Sequence, residues 1–166
     1  FTRLAGEATA AKTVIKVLEG DGSLRLRREA AQILGRRRWA SSVAALARVA
    51  TSADAPVELR RECLEALVET RDRKAYETIH KVLLKDPSLE LRREAAARLE
   101  RHPDTSSLEP LCKALGDSDE KVVKSAAEAL YRLGNRKAAP ALREAAGKAS
   151  DRLARYLNKV ADKLDR

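Results

Sequence analysis

Leu91-Arg92-Arg93-Glu94-Ala95 decides the fold, because it has near-copies elsewhere in the chain: Leu26-Arg27-Arg28-Glu29-Ala30 and Leu59-Arg60-Arg61-Glu62-Cys63. A fourth copy runs Val122, Ala126-Ala127, Ala129-Leu130, and the four anchors stand 33, 32 and 31 residues apart. An aspartate precedes each anchor by five positions, at Asp21, Asp54, Asp86 and Asp117, and Asp151 before Tyr156 repeats the spacing a fifth time. Self-similarity at such a period is the mark of a repeat architecture.

Each repeat reads as two helices. In the first, apolar or small residues recur at i, i+4 and i+8 (Leu26, Ala30, Leu34; Leu59, Cys63, Leu67; Leu91, Ala95, Leu99; Val122, Ala126, Leu130), the period of an amphipathic helix. The second carries Val43, Leu46, Val49, Ala50 and its equivalents Tyr76, Ile79, Val82, Leu83, then Leu108, Leu111, Ala114, Leu115, then Ala139, Leu142, Ala145, Ala146. Short polar turns such as Arg71–Lys74 and Gly134–Lys137 join the two, and Pro110 and Pro140 fall where a first turn tolerates a missing N–H. Strand signals are absent.

Four full pairs are expected, flanked by two partial ones. Ala11, Val14, Val17 and Leu18 match a second helix, with Phe1–Gly6 as the tail of the first helix before it, and Leu153–Leu164 match a first helix. The partial ends and the missing initial Met lead us to expect a window of a longer protein, with residues 1–166 forming one solenoid domain.

Composition bounds the rest. The 166 residues are 36% charged, 44% apolar and 3% aromatic, with seven glycines and five prolines. That is too apolar for disorder, too charged to cross a membrane, and too poor in turn residues for a β-sandwich. Cys63 and Cys112 are too few for a disulfide framework, and no basic-then-apolar leader is present, so free thiols in a cytoplasmic protein are expected.

A period near 32 residues, with an Asp, an apolar-Arg dipeptide, an Ala-Ala pair and a Leu-Gly exit, resembles the HEAT repeat. It is similar to the short bacterial type of the phycobiliprotein lyases. The residues that carry the resemblance are Asp86, Leu91-Arg92, Ala95-Ala96 and Leu99, and Asp117, Val122, Ala126-Ala127, Ala129-Leu130 and Gly134. It implies an all-α, right-handed α-solenoid whose second helices line a concave surface. It also implies binding roles, among them an accessory subunit of a lyase. The fourth repeat departs from the pattern, with Val123 where Arg27, Arg60 and Arg92 stand, so a ladder through that position should break there.

The recurrent Asp and Arg have two readings. In one they form a binding ladder; in the other, which we favour, Asp caps a helix N-terminus and Arg pairs with aspartates of neighbouring repeats. Lys16, Arg48, Lys81 and Lys113 share one register position on the outward face of the second helices, a candidate basic row with rungs ~10 Å apart. Glu77 and Glu109 precede two of them by four residues, the favoured orientation of a helical ion pair, and Glu144 reverses the sign in the last repeat.

The strongest asymmetry lies in the turns. Those within repeats carry Arg36, Arg37, Arg38, Arg71, Arg73, Lys74, Arg101, Arg132, Arg136 and Lys137, offset there by Asp72 and Asp104. Those between repeats carry Asp21, Asp54, Glu58, Asp86, Glu90, Asp117, Asp119 and Glu120. One edge is therefore expected to be basic and the other acidic. Helix dipoles account for acids at the start of a first helix and bases at its end. They do not account for cations ahead of the second helix, which leaves a preference for an anionic partner. Trp39 either seals its turn or anchors a contact.

Catalytic signals are missing. His80 and His102 have no neighbouring ligand residues, neither cysteine has an identifiable base, and no Gly-rich phosphate loop or G-x-S-x-G turn occurs. The chain is expected to be no enzyme and to need no cofactor, metal or small-molecule substrate. The favoured function is a protein-binding scaffold or adaptor that grips an acidic partner. Its expected contacts are Arg36, Arg37, Arg38, Trp39, Arg71, Arg73, Lys74, Arg136 and Lys137, with Lys16, Arg48, Lys81 and Lys113 in the groove. The alternative is nucleic-acid backbone binding, allowed by the net charge of +9 but given no stacking platform by the scattered aromatics.

Overall fold

The computed structural model describes residues 2–20, 22–39 and 41–166, with residues 2–5 as backbone alone. Ten α-helices are described: α1 (Thr2–Glu19), α2 (Leu24–Arg37), α3 (Ser42–Ala50), α4 (Val57–Thr70), α5 (Arg73–Lys85), α6 (Leu89–Arg101), α7 (Leu108–Ala114), α8 (Glu120–Leu133), α9 (Ala139–Ala146) and α10 (Asp151–Leu164). Short 3-10 turns, Thr105–Ser107 and Arg136–Ala138, lead into α7 and α9, and no strand occurs among the described residues. The pairs are α2–α3, α4–α5, α6–α7 and α8–α9, with α1 and α10 unpaired, as the periodicity predicts. One expectation fails. From Thr2 onward the residues assigned to the tail of a preceding helix belong to α1, while Phe1 lies outside the described residues.

The chain divides into two compact units, Phe1–Val82 and Leu83–Arg166. In the first unit α2 packs along α4, and α3 closes against α4. Leu34, Leu59, Cys63, Leu64 and Leu67 are fully excluded from solvent, each buried leucine contributing about 2 kcal/mol. Close approach is built in at Gly35, where a Cβ would stand 2.8 Å from the Ala66 Cα. In the second unit α6 packs along α8, and α10 closes against α8 and α9. Leu91, Leu99, Val122, Leu130, Leu142 and Leu157 form that core.

Among the described residues the recurrent aspartate does not cap the first helices, and Asp21 lies outside them. Ser23 caps α2 and Ser88 caps α6, each hydroxyl oxygen accepting from an amide three residues on, while Asp119 caps α8 by accepting from Lys121 N and Val122 N at 3.1 Å. Asp86 and Asp117 stand two residues before their caps and fold the turn instead, accepting from Ser88 N (2.9 Å) and Asp119 N (2.8 Å). The physical reason is reach: a side chain at that distance closes a two-residue ring before the helix begins. The turns that lead into α5, α7 and α9 have caps of their own, whereas Ser41 ahead of α3 makes no side-chain cap bond. Asp72, Asp104 and Asn135 accept from Lys74 N (2.7 Å), Ser106 N (2.9 Å) and Lys137 N (3.0 Å). Pro110 and Pro140 sit in the first turns of α7 and α9, as expected.

Candidate partner-binding surface

In the first unit the helix ends gather the cations. Arg36 and Arg37 close α2, Arg38 follows it, Arg71 follows α4, and Arg73 and Lys74 open α5. All six are exposed, and Trp39 beside them is half-buried. Arg38 and Arg71 share a conformation that neither side chain favours: both are left-handed, at φ 51° and φ 56°. The corresponding residue after α8 is Gly134, at φ 63°. An L-residue with a Cβ bears roughly 1 kcal/mol of strain there that glycine avoids.

The surroundings divide these cations. Arg36 lines an acidic recess of about 200 Å³ with Gln32, Glu62, Glu65 and Glu69, a balance the reading of the turns alone had missed. Arg73 approaches Glu77 of its own helix at 3.8 Å in an exposed pair of little energetic weight. Lys74 and Lys81, together with Asp72 and Glu77, line a groove of about 490 Å³ between α3 and α5, with Val43, Ala44 and Ala47 on its other side. Of the expected basic row, Arg48 donates to Glu19 (Nε at 2.8 Å), whereas Lys16 and Lys81 are exposed and make no ion pair among the described residues. Lys113, Arg136 and Lys137 belong to the second unit. There Lys113 pairs with Glu109 at 2.7 Å, and Arg136 donates to the Arg166 carbonyl oxygen at 3.0 Å.

The arginines next to the repeat anchors are structural. Arg27 donates to the Leu18 carbonyl and Arg60 to the Ala50 carbonyl, both at 2.9 Å, tying each first helix to the end of the second helix before it. Arg92 donates to the Asp86 carbonyl (3.1 Å) and to the Asp117 carboxylate (2.8 Å), the pairing with a neighbouring repeat's aspartate that the sequence suggested. Arg93 binds Asp119 through two hydrogen bonds, at 2.9 and 2.6 Å. That guanidinium, helped by the Val122 and Lys121 amides, holds the Asp119 carboxyl down to about 2. At Val123 the ladder stops. The side chain is buried, and beside it opens a pocket of about 370 Å³ with Leu115, Ala145, Leu153 and Leu157 in its wall and Lys113 and Lys148 at its rim.

Neither thiol is prepared for nucleophilic chemistry. Burial, followed by the charge of Glu62, pushes Cys63 up to about 12; burial and then Glu109 raise Cys112. Among the described residues no three His, Cys, Asp or Glu side chains come together as a metal site, and no helix is long and apolar enough to cross a membrane.

Residues 76–157, just under half of the chain, match the HEAT repeats family. That segment carries HEAT repeats. In the complex of CpcE and CpcF of phycocyanin lyase from Nostoc sp. PCC7120, a chain superposes with a TM-score of 0.65 and 24% identity over 93% of this chain and 64% of its own length. This chain therefore spans less than two thirds of that neighbour. A designed armadillo repeat protein superposes with a TM-score of 0.53 and 18% identity, over 90% of this chain and 79% of its own. Both likenesses are of fold: an all-α solenoid of stacked helix pairs. No curated protein matches the sequence.

Along these repeats the two roles of arginine separate by position. Those at the anchors are tied to carbonyls and carboxylates along the stack, and those at the helix exits project into solvent. Sequence alone marked both sets as basic. Only the backbone angle at Arg38 and Arg71 distinguishes residues that fit their place from residues held there against local preference.

Proposed function

We propose that the chain is a non-catalytic protein-binding module that takes an acidic segment of another protein on the first unit's basic edge. Arg37, Arg38, Trp39, Arg71, Arg73 and Lys74 form the edge, and the groove lined by Lys74 and Lys81 continues it. Arg136, Lys137 and Lys113 are candidate contacts of the second unit. The observation that carries this reading is the left-handed conformation of Arg38 and Arg71. Two successive repeats keep a long cation where the backbone favours glycine, and among the described residues neither side chain makes a hydrogen bond or ion pair. Charge-assisted hydrogen bonds to carboxylates are the service such residues offer. The solved neighbour, a complex of two lyase chains, supports the same class of role as an accessory subunit.

The test is association kinetics of a labelled poly-glutamate peptide with the wild-type chain and with an Arg38→Gly, Arg71→Gly variant. The variant should unfold at the same or higher denaturant concentration and associate several-fold more slowly. Unchanged kinetics would remove the edge from the reading. The net charge of +9 favours one competitor, nucleic-acid backbone. A random DNA duplex titrated at ~50 and ~200 mM salt reads it out, because several phosphate contacts weaken binding by orders of magnitude over that range.

A further inference from the structure

We propose that the second unit holds a binding site for a small aliphatic carboxylate. The site is the pocket of about 370 Å³ between α7 and α9, where an ion pair present one repeat earlier has neither of its partners. Counting from the residue that precedes each first helix matches the repeats. Arg92 stands four residues after Ser88, ahead of α6, and Asp117 stands two residues before Asp119, ahead of α8. The two meet at 2.8 Å with 18% and 11% of their side chains exposed, so guanidinium and carboxylate together close the space between a first helix and the next turn. One repeat on, the place four residues after Asp119 is held by Val123, and the place two residues before Ser150, ahead of α10, is held by Lys148. Asp151, which spacing alone matched to the turn aspartates, already lies within α10.

Both differences act on the same space. Valine is too short to cross to the turn, and it leaves an apolar wall that Leu115, Ala145, Leu153 and Leu157 complete. Lysine in place of aspartate changes the sign of the charge: Lys148 and Lys113 line the pocket against one carboxylate, Glu144. Lys148 contacts Glu144 and Lys113 contacts Glu109, each at 2.7 Å, but all four side chains are at least 63% exposed, and exposed pairs hold weakly. An ammonium has three N–H groups to donate, so each lysine can serve a second acceptor. The complement of this pocket is therefore an apolar body that carries one carboxylate. Its volume lies near the lower end of small-molecule sites, about 300–1,000 Å³, which selects a short chain. Such a ligand gains from leaving water along the wall and from the cations it meets there. The site stands apart from the basic edge of the first unit and does not rest on it.

Octanoate is the probe, titrated into the intact chain by isothermal calorimetry. Saturable one-to-one binding is expected, with protection of Cys112, the half-buried thiol in the pocket wall, from a thiol reagent. Cys63 lies in the first unit, and its labelling should stay the same. Lys148→Asp should weaken octanoate about tenfold, because it reverses one of the two cations that face the carboxylate. Ala145→Phe puts a ring into the pocket and should abolish binding while the melting temperature holds or rises. Val123→Arg combined with Lys148→Asp rebuilds the pair of the preceding repeat; that chain should be as stable as the wild type and bind no octanoate. Octylammonium, the same chain with the opposite charge, should bind about tenfold more weakly than octanoate. Absence of saturation, or binding that leaves Cys112 labelling unchanged, would overturn the proposal. So would equal affinity for octylammonium, or equal octanoate affinity in the Lys148→Asp chain.

Discussion

α4 and α8 are the same helix of two repeats, 14 residues each, and they obey different rules. α8 begins on Asp119, which satisfies two amides, and ends on Gly134 in the conformation glycine adopts freely. α4 begins on Pro56 without a side-chain cap and ends on Arg71 in that same left-handed conformation. Along the stack the contrast reverses: α4 ties itself to α3 through the buried Arg60, whereas α8 has Val123 at that position and an open pocket beside it. One helix is made to suit its ends and the other its neighbours. The misfit in α4 is concentrated at the exposed end, where a partner would come.

Several substitutions sharpen or break this contrast. The largest effects should be equal in the two helices: Leu67→Ala and Leu130→Ala remove fully buried leucines, each costing ~2–5 kcal/mol by denaturant unfolding. A marked inequality would mean that the cores differ and not only the ends. Arg60→Ala should cost ~1–3 kcal/mol, because it strips a buried hydrogen bond from the Ala50 carbonyl. Exchanging the exits comes next. Gly134→Arg should lose ~1 kcal/mol, since space is open around it and the backbone alone objects. Arg71→Gly should gain up to about 1 kcal/mol; a loss there would show that Arg71 is needed by the fold and not by a partner.

The smallest effects are in acid and in reactivity. The Asp119 carboxyl is held at about 2, below its ordinary 3.8, so its contribution is present above pH ~4 and lost as pH falls through ~2. Asp119→Asn should flatten that part of the stability profile measured by melting at successive pH values. In α4 the buried Cys63, pushed up to about 12, should label with a thiol reagent only when its unit opens, and later than the half-buried Cys112. Mass spectrometry of partly labelled chains reads the order.

Much of the architecture was legible in the chain. The i, i+4, i+8 rows of α4, α6 and α8 are buried as the period required, and Val123 interrupts the arginine ladder where the sequence said it would. The aspartates were misplaced because a cap and the turn leading to it differ by two residues, and both favour the same side chain. The candidate surface was legible as charge only. Residue type marks Arg36, Arg37 and Arg38 alike, yet Arg36 stands over glutamates of another helix and Arg38 bends the backbone the wrong way for its side chain.

Periodicity determined the helix pairs by itself, because a 3.6-residue apolar period leaves a helix one way to hide its stripe. Local composition determined most of their ends. Which cations are tied into the stack and which stand at a left-handed exit were decided only in the tertiary structure. Those properties depend on what lies across the helix, from 9 to 26 residues away for the tied arginines, and no local pattern encodes that neighbour.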